Sequence, residues 1–183
     1  ELHYSGLKDA MREISRNGIT SIVNARVYYR RGLLDVWKRA EAEDELTART
    51  VLGLWAYPTL GIGETDKDQI ETLQSLYEND PDSLLKVSQI KFYSDGILIN
   101  ETAAMLDPYA EAEQMPFFVS EDNRGLNYFD ETRLSFYITE LEKAGFDMHI
   151  HAIGDRGVRE GLNAIETAMN TNGDSVDRRH RLT

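Results

Sequence analysis

Two histidines, His149 and His151, stand two residues apart in the run Phe146-Asp147-Met148-His149-Ile150-His151-Ala152-Ile153. On a strand that spacing turns both imidazoles to one side. Such a pair can share one metal ion, or set one ligand and one hydrogen-bonding group over a site. A pair of buried, hydrogen-bonded histidines meets the same spacing, and two imidazoles alone do not complete a metal site. Gly154 and Asp155 follow and open a helix, which puts Asp155 near its positive N-terminus. Lys91 is the second candidate. It alternates with Ile90 and Phe92 near the end of a strand expected over Val87–Tyr93. A lysine there is costly unless it is paired or chemically altered. Carboxylation by CO2 would make it an anion able to bridge two metals; a neighbouring carboxylate would satisfy it without chemistry. Asp95-Gly96, just beyond, reads as a turn.

Other polar residues carry less. His180 lies in the basic run Arg178-Arg179-His180-Arg181 and reads as solvated, as does His3 near the start. The acidic stretch Glu41 to Glu45 reads as a solvated helix face. Gly61-Ile62-Gly63 lacks the third glycine and the Lys-Ser/Thr of phosphate loops, so it is a loop. No G-x-S-x-G elbow is present.

These candidates need elements to hold them, and the pattern supplies helices and strands in alternation. Leu7, Met11 and Ile14 predict a helix stopped by Asn17-Gly18, followed by a strand over Ile19–Val23. Leu33 to Ala40 predicts a second helix running on through Glu41–Glu45, then a strand from Thr50 to Tyr57, halted by Pro58. A third helix spans Asp66 to Tyr77. Asp130 caps a fourth, which bears Leu134, Ile138 and Leu141 on one face. The strand Phe146–Ile153 and a helix through Val158 and Met169 come next, closed by Asn172-Gly173. A fifth strand is expected from Arg179 to Thr183. Alternation of this kind predicts parallel βα units, in an open doubly wound sheet or in part of a (β/α)8 barrel. The stretch from Ser94 to Phe129 is far longer than an ordinary βα loop and is expected to help shape a ligand pocket.

Composition bounds the function. The chain has 183 residues, 41 % hydrophobic and 28 % charged, as in a globular domain. It has no cysteine, which excludes disulfides, thiolate metal sites and a Cys nucleophile. Its 20 Lys and Arg against 32 Asp and Glu give a formal net charge of −12. That balance argues against nucleic acid and anionic membranes as partners. No apolar run approaches the ~20 residues of a spanning helix. No signal peptide is recognisable, and a cytoplasmic location is expected.

Four blocks occur in order: Lys91-Phe92-Tyr93-Ser94-Asp95-Gly96, Thr102-Ala103-Ala104-Met105-Leu106-Asp107-Pro108-Tyr109, His149-Ile150-His151-Ala152-Ile153-Gly154-Asp155-Arg156 and Arg179-His180-Arg181-Leu182. With Gly18-Ile19-Thr20-Ser21-Ile22, they resemble amidohydrolase family 3 of the amidohydrolase superfamily, metal-dependent hydrolases with a TIM-barrel fold. The resemblance covers essentially the whole chain. It implies hydrolysis of non-peptide carbon–nitrogen bonds in a small-molecule substrate by metal-activated water, with a divalent metal, zinc by expectation. It also implies that residues 1–183 form a single fragment of a catalytic barrel domain: parallel βα units of an incomplete TIM (β/α)8 barrel, roughly strands 2 to 6. A full barrel needs about 250 residues. By motif, Lys91 would be the strand-four metal ligand and His151 the strand-five ligand. His149, Asp95 and Asp155 would bind substrate or support the ligands. The family's strand-one H-x-H, strand-six histidine and strand-eight aspartate, the general base, have no counterpart here. The isolated chain is therefore expected to be inactive, and its exposed sheet edges invite homo-oligomers. A self-contained α/β ligand- or partner-binding module remains the alternative.

Overall fold

A computed structural model describes residues 1–110, 122–174 and 177–183. Its strands are β1 (Ser21–Val27), β2 (Arg49–Trp55), β3 (Leu85–Tyr93), β4 (Asp147–His151) and β5 (Arg181–Leu182). Its helices are α1 (Leu2–Arg16), α2 (Leu33–Ala42), α3 (Asp66–Ser75), α4 (Glu131–Lys143) and α5 (Asp155–Asn172). All four strand pairings are parallel, and the sheet order β1-β2-β3-β4-β5 follows the chain. Sequential parallel strands joined through helices make a curled part of a TIM barrel, as the alternating pattern predicts. Strands β1 and β5 are its edges.

Alternation along the strands sorts the two faces. Leu52, Leu54, Ile90, Phe92, Met148 and Ile150 are fully buried against Leu34, Trp37, Leu73, Tyr137, Leu141 and Ala164 from the helices. Removing that apolar surface from water is the main stabilising term. Gln89, Lys91 and Tyr93 of β3 and His149 and His151 of β4 take the intervening positions, so they face the concave side. On α5, Gly157, Gly161, Ala164 and Ala168 form a buried stripe of small residues. It lets the helix lie close to the sheet: a Cβ on Gly157 would stand 2.8 Å from Asp95 Oδ2.

Local signals set the boundaries. Gly18, at φ +68°, turns the chain out of α1. Thr65 and Asp68 form a reciprocal capping box at α3, and the Asp130 carboxylate accepts from the Arg133 amide at 2.8 Å. Several boundaries depart from the sequence reading: α3 ends at Ser75 rather than Tyr77, β3 begins at Leu85 rather than Val87, and β4 and β5 are shorter than expected, Asp147–His151 and Arg181–Leu182. Strand β1 begins at Ser21 rather than Ile19, because the Ile19 amide still donates to the Ile14 carbonyl of the helix end. Strand β2 stops at Trp55, short of Tyr57. Helix α2 stops at Ala42, because Asp44 takes φ +55°. The acidic run is therefore not a continuous helix face. Glu43 accepts from the Tyr4 hydroxyl at 2.5 Å, and Glu45 pairs with Lys8 at 3.0 Å. Among the described residues no helix is long and apolar enough to cross a membrane.

Candidate functional site

The concave face near the C-terminal strand ends gathers the residues singled out from the sequence. Pairing sets Lys91 beside His149, and Tyr93 beside His151. The Tyr93 ring is the hub. Lys91 Nζ lies 5.1 Å from its centroid, and the His151 ring lies 4.9 Å away at a tilt of 34°. Lys91 is 5 % exposed and has no carboxylate within ion-pair distance among the described residues. Among the described residues its amine makes one hydrogen bond, a long one of 3.5 Å to Thr183 Oγ1. Among the described residues, then, no acid pairs with Lys91. Burial, and next the charge of Arg26, pull the Lys91 pKa down to about 8. The uncharged amine is then a minor but far larger share near neutral pH than for an ordinary lysine.

His149 is also held neutral. Burial, then the charges of Lys91 and Arg181, lower its pKa to about 4. Its Nε2 is 3.1 Å from Thr183 Oγ1, while Nδ1 is buried with no hydrogen-bond partner among the described residues. A buried polar atom left unpaired carries a cost and points to a missing partner. His151 Nε2 donates to the Gly96 carbonyl at 2.8 Å, which fixes the tautomer and leaves the Nδ1 lone pair available.

Asp95 is more than a turn residue. It is fully buried, and its carboxylate accepts from the amides of Ala104 (2.9 Å), Gly154 (2.8 Å) and Ile153 (3.1 Å). It thus ties the end of β3 to the loop after it and to the start of α5. Its Oδ1 is 3.9 Å from His151 Nε2, too far for a hydrogen bond. Asp155, exposed at the start of α5, accepts from the Leu106 amide and from the Arg156 amide, both at 2.8 Å. Both aspartates hold the long loop in place. Its two arms also zip together, Met105 to Arg124 and Tyr128 to Ser94, by backbone bonds of 2.9 and 2.8 Å. The middle of that stretch, 111–121, lies outside the described residues.

His180 is not solvated. Its side chain is 5 % exposed, and Nε2 donates to Glu142 Oε1 at 2.7 Å. Burial opposes its charge, but Asp147 and Glu142 outweigh burial and raise its pKa. The Met148 amide, donating to Nδ1 at 3.1 Å, works against that rise by holding Nδ1 as an acceptor. Arg178 joins the same carboxylate at 2.5 and 2.9 Å. Burial pushes the Glu142 carboxyl up, yet Arg178, Asn172 and His180 together hold it down at about 2. This cluster walls a cavity of about 510 Å3 at the N-terminal strand ends, lined by Lys86, Gln89, Asp147 and Arg181. The cavity includes neither Lys91 nor His149 nor His151, and we read it as the floor of the sheet rather than the site. His3 is exposed, as expected.

No cluster of three or more His, Asp or Glu side chains able to hold a metal occurs among the described residues. The donor set fits part of a coordination sphere: one oriented imidazole, one unpaired imidazole nitrogen, and a buried amine without an acid. Sequence reasoning missed Tyr93 and Thr183, which join these groups. Tyr93, two residues beyond Lys91, was findable by the same alternation.

The amidohydrolase family model matches residues 3–183, nearly the entire chain. The chain belongs to the amidohydrolase family. Among curated relatives, this family member is 31 % identical over 98 residues to Protein LONG AFTER FAR-RED 3 of Arabidopsis thaliana, covering 54 % of the chain and 15 % of that relative. It is 27 % identical over 106 residues to the putative amidohydrolase YtcJ of Bacillus subtilis, covering 58 % and 17 %. Two solved structures described as uncharacterized metal-dependent hydrolases, from Pyrococcus furiosus and Pyrococcus horikoshii, share its fold. Their TM-scores are 0.66 and 0.68 at 19 % identity; the alignments cover 96 and 98 % of this chain but 31 and 32 % of theirs. The chain thus spans about a third of those structures and less than a quarter of the curated relatives.

Proposed function

We propose that this chain is part of a metal-dependent amidohydrolase that cleaves a carbon–nitrogen, non-peptide bond of a small molecule. The observation that carries the reading is the meeting of Lys91, His149 and His151 on one concave face of a family barrel, with the lysine buried and without an acid partner among the described residues. His151, through Nδ1, and Lys91, as its carbamate, would hold the metal, zinc by our reading. When bound, the metal acidifies a water to a pKa of ~7 and polarises the scissile carbonyl. The uncharged Lys91 amine is the form that adds CO2: the N–C bond forms and one nitrogen proton leaves. The anion so made would offset the cationic neighbours Arg26 and Arg181. His149 is neutral across the working pH range and offers a hydrogen bond at the site. The Gly96 carbonyl keeps the His151 ring in its tautomer. Asp155 fastens the loop that closes the site's rim. The remaining ligands and the general base belong to strands beyond these residues, so these 183 residues by themselves are inactive in our reading.

The test is hydrolysis of a panel of amides, ureas and cyclic imides by the full-length protein. Activity lost on chelation and restored by a divalent metal supports the reading. Hydrolysis unaffected by the chelator, or specific binding with no turnover across the panel in the metal-loaded protein, overturns it; the second result favours a binding module.

A further inference from the structure

Thr183 has no part in the hydrolytic chemistry, yet its hydroxyl touches two of the groups placed there. Lys91 Nζ lies 3.5 Å from Oγ1, and His149 Nε2 lies 3.1 Å from it. The backbone fixes where that hydroxyl stands. The Thr183 amide donates to the Ile150 carbonyl at 2.9 Å, and the Ala152 amide donates to the Thr183 carbonyl at 3.0 Å. Arg181 pairs with His149, and Leu182 with Ile150. At the start of β5 side chains continue the ladder. The Arg179 amide donates to Asp147 Oδ1 at 2.8 Å, and the Met148 amide donates to His180 Nδ1 at 3.1 Å. So short a strand is thus held in one register, and a slip of one residue would turn Thr183 to the other face. A hydroxyl can reverse a hydrogen bond by rotating, because it has one proton to give and two lone pairs to accept with. With an amine at Lys91, Oγ1 accepts from Nζ and gives its own proton to His149 Nε2, so the ring proton sits on Nδ1. Modification changes the sign of that contact. CO2 adds to the amine: the N–C bond forms, one nitrogen proton leaves to water, and the new carboxylate oxygens only accept. The Thr183 hydroxyl then turns its proton to the carbamate. Oγ1 now accepts from His149 Nε2–H, and Nδ1 keeps a bare lone pair. Nδ1 is buried with no hydrogen-bond partner among the described residues, so no second contact there opposes the change of tautomer.

We propose that Thr183 is a positioning residue that anchors the Lys91 carbamate and passes its formation on to His149 by reversing their shared hydrogen bond. Unmodified Lys91 goes with a ring protonated on Nδ1. Modified Lys91 goes with a ring protonated on Nε2, whose Nδ1 accepts. The site gains its acceptor at His149 only once the lysine is modified. The assignment deepens the proposed function and rests on it for the carbamate; the reversal itself is read by spectroscopy, without turnover.

The full-length protein, 15N-labelled at histidine, is stripped of metal in CO2-free buffer and reloaded with zinc, with or without 13C-bicarbonate. 13C NMR counts the carbamate, assigned by its absence in K91M. 15N NMR reads the His149 tautomer, assigned by its loss in H149N. In wild type the ring is expected to pass from Nδ1–H to Nε2–H as the carbamate fills. T183V keeps the size of the side chain without its hydroxyl. It is expected to need about tenfold more bicarbonate for half-occupancy, because a hydrogen bond to an anion is lost. Its His149 tautomer no longer follows the carbamate, and T183S restores both properties. Hydrogen exchange at the Ala152 and Thr183 amides checks that β5 keeps its place in each variant. A wild-type His149 tautomer indifferent to bicarbonate overturns the relay, whatever the variants do. Equal bicarbonate demand in wild type and T183V overturns it too, as does a wild type with no carbamate on Lys91. If the signals behave as expected but no amide is hydrolysed, the relay stands and the hydrolase reading falls. Chelator-sensitive hydrolysis with no carbamate on Lys91 gives the reverse.

Discussion

Replacing Asp95 by Asn probes the clamp beneath the site. In the native protein one fully buried carboxylate accepts from three backbone amides. Oδ2 takes Ala104 at 2.9 Å and Gly154 at 2.8 Å, and the Ile153 amide is shared between Oδ1 at 3.1 Å and Oδ2 at 3.2 Å. An Asn amide oxygen in the Oδ2 position keeps the first two bonds but loses their charge assistance, about 1 kcal/mol each. Its NH2 group then faces the Ile153 N–H from the Oδ1 side, so only the Oδ2 half of that shared bond survives, for a further loss of up to ~1 kcal/mol. Relief of carboxylate desolvation offsets part of this. The net expectation is a loss of about 2 kcal/mol, and more for Asp95→Ala, which strips the acceptors from all three amides. Such a loss is a large share of a stability of ~5–15 kcal/mol. Urea unfolding of wild type and D95N, followed by circular dichroism, gives the difference. Hydrogen exchange at Ala104, Ile153 and Gly154 locates it. A D95N stability within ~0.5 kcal/mol of wild type, with unchanged protection at those amides, refutes the clamp.

Three further outcomes follow from other parts of the fold. The Glu142 carboxyl titrates lower in the folded protein than in the unfolded chain, so the stability it confers is full above about pH 4.5 and is lost as pH falls toward 2. The amount is about 3 kcal/mol, and in E142Q that acid-dependent part of the unfolding free energy is absent. Gly154→Ala costs about 3 kcal/mol or more in urea unfolding, because the new Cβ would stand 1.9 Å from the Ala104 carbonyl oxygen, which is backbone and cannot swing away. Thr65→Ala removes the capping box of α3 and lowers the thermal midpoint by the equivalent of about 1 kcal/mol, while a Ser at the same position restores most of it.

Much of this site is legible along the chain because it obeys local periodicity. Lys91, Tyr93, His149 and His151 fall on one face by simple alternation, and parallel pairing then sets them side by side. Helix α4 shows its cap and stripe in Asp130, Leu134 and Ile138. What escapes the sequence is set by distant partners. Asp95 looks like a turn aspartate because its donors come from residues 9, 58 and 59 positions away. His180 looks solvated beside three arginines because the carboxylate that buries it, Glu142, is 38 residues upstream. Arg26 is unremarkable until the sheet brings Trp55 and Tyr93 to it. The early start read for β1 fails for a local reason: the helix end claims the Ile19 amide.

In our proposal Lys91 and His151 help hold a divalent metal. Elemental analysis of the purified full-length protein tests it directly, comparing wild type with K91M and H151N after identical loading and dialysis. We expect a bound divalent ion in wild type and a marked fall in metal per chain in both variants, with all three proteins folded by circular dichroism. Undiminished metal content in K91M and H151N would contradict the account.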